Sequence, residues 1–489
     1  MNGRTSHTAG TAAASTEIAP TLCVDLDGTL IASDVLWEST LLLLRERPWL
    51  AFALPFWLAR GKAYLKQQIA ARVQLDVERL PYRDEVVQYL TEESHGGRPI
   101  VLVTPSHESV ARRVAQHVGL FSGVLASDAQ TNLSGTRKAE RLANTFGSGG
   151  FDYLGNDRVD IPTWKAGRRV IVVAPSWSLL RRIRATPLDV ERILAQRRGT
   201  LRALVRVMRP HQWVKNLLSF VPLVTSHRLL DLRLMERAFE AFVAFSLCAS
   251  TVYVVNDLFD IQSDRRHPRK RFRPFAVGEL PISHGIVLAP ILLVLAFATA
   301  IAMLPPSFAA LLGLYLITTT AYSWFLKRQP ILDVMVLAGL YALRVLAGGV
   351  ATGIVISQWL LPFALFLFLS LALMKRFSEI KKAPAGVQTL SGRAYRVEDA
   401  VWVQAAGLCA AYLAVLVLAL YISSSEVTTL YRRPQVLWGL CPVFLYWVTR
   451  LWFHAHRGWV KDDPVVAAVA DPASYAVAAV GGLILLAAI

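Results

Sequence analysis

Hydrophobic positions divide the chain near residue 210. Before that point the apolar runs are short: Thr21–Val24, Ile100–Val103, Asp152–Leu154 and Val170–Val173. Helix-patterned polar stretches separate them. That alternation predicts a parallel sheet with helices on both faces, and residues 21–175 are read as one α/β domain. The run Trp49–Leu58, after Pro48, interrupts the pattern. A bilayer span needs about 20 residues, so this run is expected as a cap helix or as a segment lying on a membrane surface. Residues 1–20 are small and polar and are read as a disordered start. They lack the charged-then-apolar order of a signal peptide, so the N-terminus is expected in the cytoplasm.

Beyond residue 209 the runs lengthen. Nine spans are predicted near 213–229, 236–257, 284–304, 306–326, 331–351, 357–377, 399–421, 436–453 and 473–489. Residues 209–489 are therefore an all-α membrane domain in the lipid bilayer. Between the two parts, 176–208 carries Arg181, Arg182, Arg184, Arg192, Arg197, Arg198, Arg202 and Arg206 and is read as a basic connector helix. Loops on the N-terminal side of the membrane hold 17 Lys and Arg against five on the other. The rule that positive loops stay inside places the soluble domain and its facing loops in the cytoplasm, on the inner (plasma) membrane.

Composition narrows the class. The chain of 489 residues is 54% hydrophobic and 18% charged, below the roughly 25% charged content of soluble domains. A disordered chain, a nucleic-acid-binding tail and a disulfide scaffold are excluded despite a net charge of +17. Cys23, Cys248, Cys409 and Cys441 form no C-x-x-C pair, so neither a disulfide framework nor a zinc site is indicated.

The first chemical motif is Thr21-Leu-Cys-Val-Asp25-Leu-Asp27-Gly28-Thr29. Carboxylates two residues apart at a strand tip point the same way, and Gly28 lets the backbone turn sharply. One carboxylate can attack phosphorus while the other handles the leaving-group proton, with Mg²⁺ offsetting charge. A second strand ends in Thr104, a basic side chain follows at Lys138, and Tyr153-Leu-Gly155-Asn156-Asp157-Arg-Val-Asp160 closes the set. In this order the residues resemble the haloacid dehalogenase-like (HAD) phosphatase superfamily, over about 21–175. The resemblance implies Asp25 as nucleophile, Asp27 as general acid/base, and Thr104 and Lys138 as phosphate binders. It implies Mg²⁺ held at Asp25, Asp27, Asn156 and Asp160, and a helical cap over 31–98. The family pattern has an aspartate where Asn156 stands, and a neutral amide oxygen holds Mg²⁺ less firmly than a carboxylate.

The second motif is Asn256-Asp257-Leu-Phe-Asp260-Ile-Gln-Ser-Asp264. On a helix, Asn256, Asp260 and Asp264 recur every four residues, with Asp257 three before Asp260. Stacked hard oxygens at a membrane edge suit Mg²⁺ with substrate phosphates. Arg265, Arg266, His267, Arg269, Lys270, Arg271 and Arg273 follow, broken by Pro268 and Pro274. Acids beside fixed cations describe a polyanion site, and one diphosphate does not require so many cations.

N-D-x-x-D-x-x-x-D resembles the UbiA superfamily of membrane prenyltransferases, whose fold nine helices fit. The cation-rich loop is closer to its polyprenyl-phosphate 5-phosphoribosyltransferases of the decaprenyl-phosphate type. So are Arg209-Pro-His211-Gln-Trp213-Val-Lys215-Asn216, Tyr322 with Lys327, Asp333 and Arg344, and Lys375-Arg376-x-x-Glu379 with Gly392-Arg393-x-Tyr395. The resemblance covers about 207–489. It implies phosphoribosyl pyrophosphate (PRPP) as donor and a polyprenyl phosphate as acceptor. Mg²⁺ on the Asn256/Asp260 face, with Asp257 and Asp264 near, would hold the leaving pyrophosphate. Lys270, Arg271 and Arg273 would clamp phosphates, in one substrate-binding set with Arg265 and His267. Tyr322, Lys327, Asp333 and Arg344 would complete the pocket, and Arg209, Gln212 and Lys215 would face the lipid phosphate. The HAD domain would then remove the 5-phosphate of the product.

Two alternatives stay open: an ordinary prenyltransferase moving an isoprenoid from its diphosphate to an aromatic ring, and a HAD domain that only binds or supports. A homo-oligomer is among the expected assemblies.

Overall fold

The computed structural model describes residues 19–188, 190–195, 199–383, 393–460, 468 and 471–489. Residues 1–18 of the expected disordered start, Arg197 and Arg198 of the connector, and Gly392 lie outside the described residues. The chain forms two compact units, Met1–Leu204 with Asp257–Ile286, and Val205–Asn256 with Val287–Ile489.

The first unit is built on six strands, β1 (Thr21–Val24), β2 (Ile100–His107), β3 (Gly123–Ser127), β4 (Phe151–Gly155), β5 (Val170–Val173) and β6 (Val190–Leu194). They pair in parallel in the order β3-β2-β1-β4-β5-β6. Side chains along a strand alternate between faces, and both faces are packed. Leu22, Val24, Ile100, Leu102, Ile171 and Val173 enter one core, and Cys23, Val101, Val103, Val170 and Val172 enter the other. Double burial is why these strands read as unbroken apolar runs. The order reverses direction beside β1, so a crevice opens at its carboxyl end. Asp25 is the first residue beyond β1, tied to β4 by its amide on the Leu154 carbonyl at 3.0 Å.

Helices Val35–Glu46, Lys62–Ala70 and Asp84–His95 fill the stretch expected as a cap. Asp34 caps the first of them, accepting from the Trp37 amide at 3.0 Å, the usual way of satisfying a free helix-start amide. The run after Pro48 is helical through Ala59 and leaves Trp49, Phe52 and Phe56 exposed.

The connector differs from expectation. It is not one helix: Trp177–Arg184 is helical, Val190–Leu194 is the sixth strand, and Thr200–Met208 is a second helix. β6 is an edge strand with Glu191 and Arg192 exposed, and charged residues on an edge deter pairing with other chains.

The second unit is helical. Among the described residues six helices are long and apolar enough to cross a membrane: Leu232–Phe259, Ile282–Met303, Leu332–Thr352, Leu360–Lys381, Val397–Ile422 and Pro434–His456. Three of the nine expected spans fall outside this set. Residues 213–229 are not one helix: a 3₁₀ stretch runs Pro210–Phe220 and a short helix follows at Val221–Thr225, with Pro222 in its first turn. Pro306–Trp324 is a 19-residue helix, but Thr318, Thr319, Thr320 and Ser323 dilute its apolar character. Pro472–Ala488 is apolar with 17 residues. Packing within this unit uses small residues: a Cβ on Gly407 would lie 2.1 Å from the Trp452 ring. Such close approach is what glycine supplies between membrane helices. The Trp452 indole donates to the Ser370 hydroxyl at 2.9 Å.

Candidate functional site

The crevice at the end of β1 gathers residues far apart in sequence. Lys138, from helix Thr136–Phe146, donates to Asp25 Oδ1 at 2.7 Å and to the Tyr153 hydroxyl at 2.8 Å. Its ammonium is almost wholly buried. Thr29 Oγ1 lies 3.2 Å from both Asp25 Oδ2 and Asn156 Oδ1. Asp27 accepts from the Val35 amide and from the Ser106 hydroxyl, each at 2.7 Å. Gly28 has φ +77°, and a Cβ there would meet the Asn156 amide nitrogen at 2.1 Å. The turn after Asp27 and the closeness of Asn156 therefore both require glycine.

Burial governs the charges here. It pushes the Asp25 carboxyl up to about 7, against the pull of Lys138. Asp27 is pushed up to about 7 by burial and by the nearby Asp34 charge. Two carboxylates in a dry crevice favour a cation between them. Asp25 Oδ2 and Asn156 Oδ1, both within reach of one hydroxyl, are hard oxygen donors that fit Mg²⁺.

Two expected residues are placed differently. Asp160 accepts from the Asn156 and Asp157 amides at 3.0 and 3.1 Å through Oδ2, and from the Tyr153 hydroxyl at 2.9 Å through Oδ1. Its oxygens are engaged in holding the β4 loop. Thr104 is fully buried and accepts from the Ser106 amide at 3.0 Å. The hydroxyl that reaches Asp27 is that of Ser106, within the register shift of β2 between Thr104 and His107. Lys66, from the cap, was not legible as a site residue. It donates to the Pro105 carbonyl at 2.5 Å and to Asn132 at 2.7 Å, and burial lowers its pKa.

The acidic motif does not run along one helix. Helix Leu232–Phe259 ends before Asp260, and Ile261–Arg266 forms a second short helix. Asn256 donates to Ser323 at 3.1 Å. Arg273 bridges Asp257 at 3.0 Å and Asp264 at 2.7 Å. Burial pushes the Asp264 carboxyl up against that pull. Asp260 pairs with Arg45 at 2.9 Å. Arg265 forms a two-pronged pair with Glu38 at 2.7 and 2.8 Å, and Arg266 meets Asp76 at 2.9 Å. His267, Lys270 and Arg271 are exposed. The carboxylates are thus matched by arginines. Among the described residues no three His, Cys, Asp or Glu side chains converge as a metal site, here or in the crevice.

The remaining expected residues fall into two clusters. Arg344 donates to Asn216 Oδ1 at 2.8 Å and to the Tyr315 hydroxyl at 3.0 Å, and Asn216 donates to Ser246 at 3.0 Å. Lys215 sits over the Tyr341 ring at 5.8 Å, and Arg209 over Tyr253 at 5.1 Å. In the other cluster Arg376 contacts Asp333, Glu379 and the Tyr322 hydroxyl. Tyr395 donates to Asp333 at 2.7 Å, and Arg393 lies 3.3 Å from Glu379. Asp333 and Arg344 share helix Leu332–Thr352 but stand eleven residues apart, about 16 Å along its axis. They do not meet. Lys327 lies on the 3₁₀ turn Leu326–Arg328. Asn216, Arg376, Glu379, Arg393 and Tyr395 all belong to the motifs read in the sequence, whereas Ser246 and Tyr315 carried no signal of their own.

Comparison with known proteins completes the description. Residues 223–468 match the UbiA prenyltransferase family and residues 22–144 match haloacid dehalogenase-like hydrolase. An uncharacterized protein, y4nM, of Sinorhizobium fredii is 33% identical over 94% of this chain and 89% of its own length. The nodulation protein NoeC of Azorhizobium caulinodans is 36% identical over 54% of this chain and 86% of its own. Decaprenyl-phosphate phosphoribosyltransferase of Mycobacterium tuberculosis is 40% identical over 37% of this chain and 61% of its own.

Proposed function

From the membership of this chain in the UbiA prenyltransferase family, with a haloacid dehalogenase-like domain ahead of the membrane part, we propose a two-step enzyme acting on a polyprenyl phosphate. The chain is a multi-pass membrane transferase of that family. Its membrane part moves 5-phosphoribose from PRPP to the lipid phosphate, and its HAD domain hydrolyses the 5-phosphate. The observation that carries the first step is the 40% identity over 184 residues to a decaprenyl-phosphate phosphoribosyltransferase. Both sites face the cytoplasm across the plasma membrane, as the distribution of Lys and Arg suggests.

In the transfer step the C1–O bond to pyrophosphate breaks and a lipid phosphate oxygen bonds to C1. The acceptor oxygen is already anionic, so no strong base is needed. Lys270 and Arg271, exposed beside the acidic motif, bind phosphate oxygens, and Arg273, which holds its two carboxylates through Nη1, joins them through its remaining donors.

In the hydrolytic step Asp25 attacks the 5-phosphate and the P–O bond to the sugar breaks. Asp27 protonates the departing 5-oxygen, then accepts a proton from the water that hydrolyses the aspartyl phosphate. A raised Asp27 pKa suits a group that gives and takes a proton near neutrality. Lys138 holds Asp25 in line. When bound, Mg²⁺ at Asp25, Asp27 and Asn156 supplies charge neutralisation for the phosphoryl oxygens.

The test is a lipid-extraction assay with labelled PRPP, polyprenyl phosphate and Mg²⁺, using wild type and Asp260→Ala. Label entering the organic phase with wild type alone supports the transfer. Absence of label where a positive-control enzyme works defeats it and points to an isoprenoid diphosphate donor. Release of inorganic phosphate from the labelled lipid, lost in Asp25→Asn, supports the second step. Phosphate release that is absent, or unchanged by that substitution, reduces the HAD domain to a binding module.

A further inference from the structure

The cavity at the end of β1 is not lined by the α/β domain alone. It holds about 690 Å³, within the usual size of a small-molecule site and far more than a phosphate group needs. Asp25, Asp27, Lys138 and Asn156 line one part of it, and Val277, Gly278, Glu279, Ser283 and His284 line another. That second stretch comes from the loop that follows the N-D-x-x-D motif.

The loop is fixed where it lines the cavity. Arg265 holds Glu38 of the cap helix with two nitrogens and donates its third, Nε, to the Ala276 carbonyl at 2.8 Å. Ala276 is the residue before the lining segment. Gly278 has φ +70°, and a Cβ there would lie 2.4 Å from the Ala32 carbonyl oxygen. Only glycine lets the loop come this close to the turn after Asp27. That turn is itself tied back, since the Gly28 amide donates to the Ser33 carbonyl at 3.0 Å. The loop and the catalytic turn thus form one packed surface.

The chemistry of the lining is specific. Beyond the phosphate end it presents Glu279, Ser283, His284, Asp84 and Glu85. Carboxylates, a hydroxyl and an imidazole pair with sugar hydroxyl groups, and Arg83, also in the lining, sets a cation beside them. Ser283 and His284 also sit in the first turn of Ile282–Met303, a helix long and apolar enough to cross a membrane. One wall of the cavity is therefore the head of a membrane helix.

We infer that Val277–His284 is the substrate-selecting wall of the HAD cavity, which takes a hydroxyl-bearing phosphomonoester carried on a membrane lipid in preference to the same ester free in solution. This rests on the reading of the domain as a phosphatase of the lipid-linked product and adds to it the residues that select that substrate.

The test uses the full chain in detergent micelles. Three probes are compared: polyprenyl-phospho-ribose 5-phosphate, ribose 5-phosphate and p-nitrophenyl phosphate. Wild type should show kcat/KM at least about tenfold higher for the lipid than for free ribose 5-phosphate. Glu279→Gln and His284→Ala should each lower the ratio of lipid to p-nitrophenyl phosphate kcat/KM by about tenfold or more, the usual effect of losing a hydrogen bond to a bound substrate hydroxyl. A ratio that the substitutions leave unchanged overturns the inference while the phosphatase reading stands. If the variants lose all hydrolysis, the wild-type comparison decides: a preference for the lipid supports the wall, and equal values overturn it. A wild type that hydrolyses none of the three overturns the phosphatase reading itself.

Discussion

Breaking the Glu38–Arg265 pair should release the loop that follows the acidic motif. The two side chains are 1% and 7% exposed, and their two contacts match the fork of a guanidinium to the fork of a carboxylate. Glu38→Gln keeps the shape but leaves a buried guanidinium without its counter-charge. Removing one partner of a buried pair costs about 3–5 kcal/mol. Replacing both by apolar groups, as in Glu38→Leu with Arg265→Met, is expected to cost far less, because no charge is then left buried. A chain of two units is not expected to unfold in one step, so the assay is amide hydrogen exchange over residues 265–280. Each 1.4 kcal/mol is tenfold, so Glu38→Gln should speed exchange there by about 10²- to 10³-fold, and the double variant by much less. Acceleration under about tenfold in Glu38→Gln, or a double variant as fast as the sum of its singles, would refute the argument.

Three further outcomes are expected. Asp25→Asn should lower phosphate release from p-nitrophenyl phosphate by at least about 10³-fold while the detergent-solubilised protein elutes unchanged; activity within tenfold of wild type would remove Asp25 from the reaction. Arg376→Ala takes from the fully buried Asp333 its nearest counter-charge, leaving Tyr395 and the more distant Arg393, and should destabilise the protein by about 3 kcal/mol; Arg376→Lys should rescue little in a thermal melt, since an ammonium cannot reach Asp333, Glu379 and Tyr322 together. Asp152 is buried, which by itself raises its pKa, but hydrogen bonds and charge from Arg168 and Arg98 outweigh that and hold it below the usual carboxylate range. Its stabilisation is therefore complete above the unfolded pKa of about 3.9 and is lost as pH falls through the lower folded value, so Asp152→Asn should flatten the acid limb of a stability–pH profile followed by hydrogen exchange in β4.

What the sequence disclosed followed the reach of each signal. D-x-D-G-T was legible because strand period and glycine act over a few residues. The partnership of Lys138 with Asp25 spans 113 positions, and only the family pattern carried it. Ser106 was missed because β2 shifts register between Thr104 and His107, and an irregular stretch has no period to read from sequence. β6 was hidden by its own arginines, since an edge strand exposes most of its side chains and loses the apolar run that marks a buried one. The first expected span failed at Pro210 and Pro222, which local apolarity alone does not weigh.

The basic loop shows a different limit. Counting acids toward a metal and cations toward phosphates uses groups that answer each other. Asp257 and Asp264 share Arg273, Asp260 takes Arg45, and Arg265 and Arg266 are taken by Glu38 and Asp76. The last two acids lie in the cap, some 190 residues or more away in sequence, and no spacing rule connects them to the motif. Within this loop Arg269, Lys270 and Arg271 are exposed. Arg273 holds both Asp257 and Asp264 through one nitrogen, Nη1, and its guanidinium carries further donors. The acids and arginines of the motif therefore cannot be counted as independent sites.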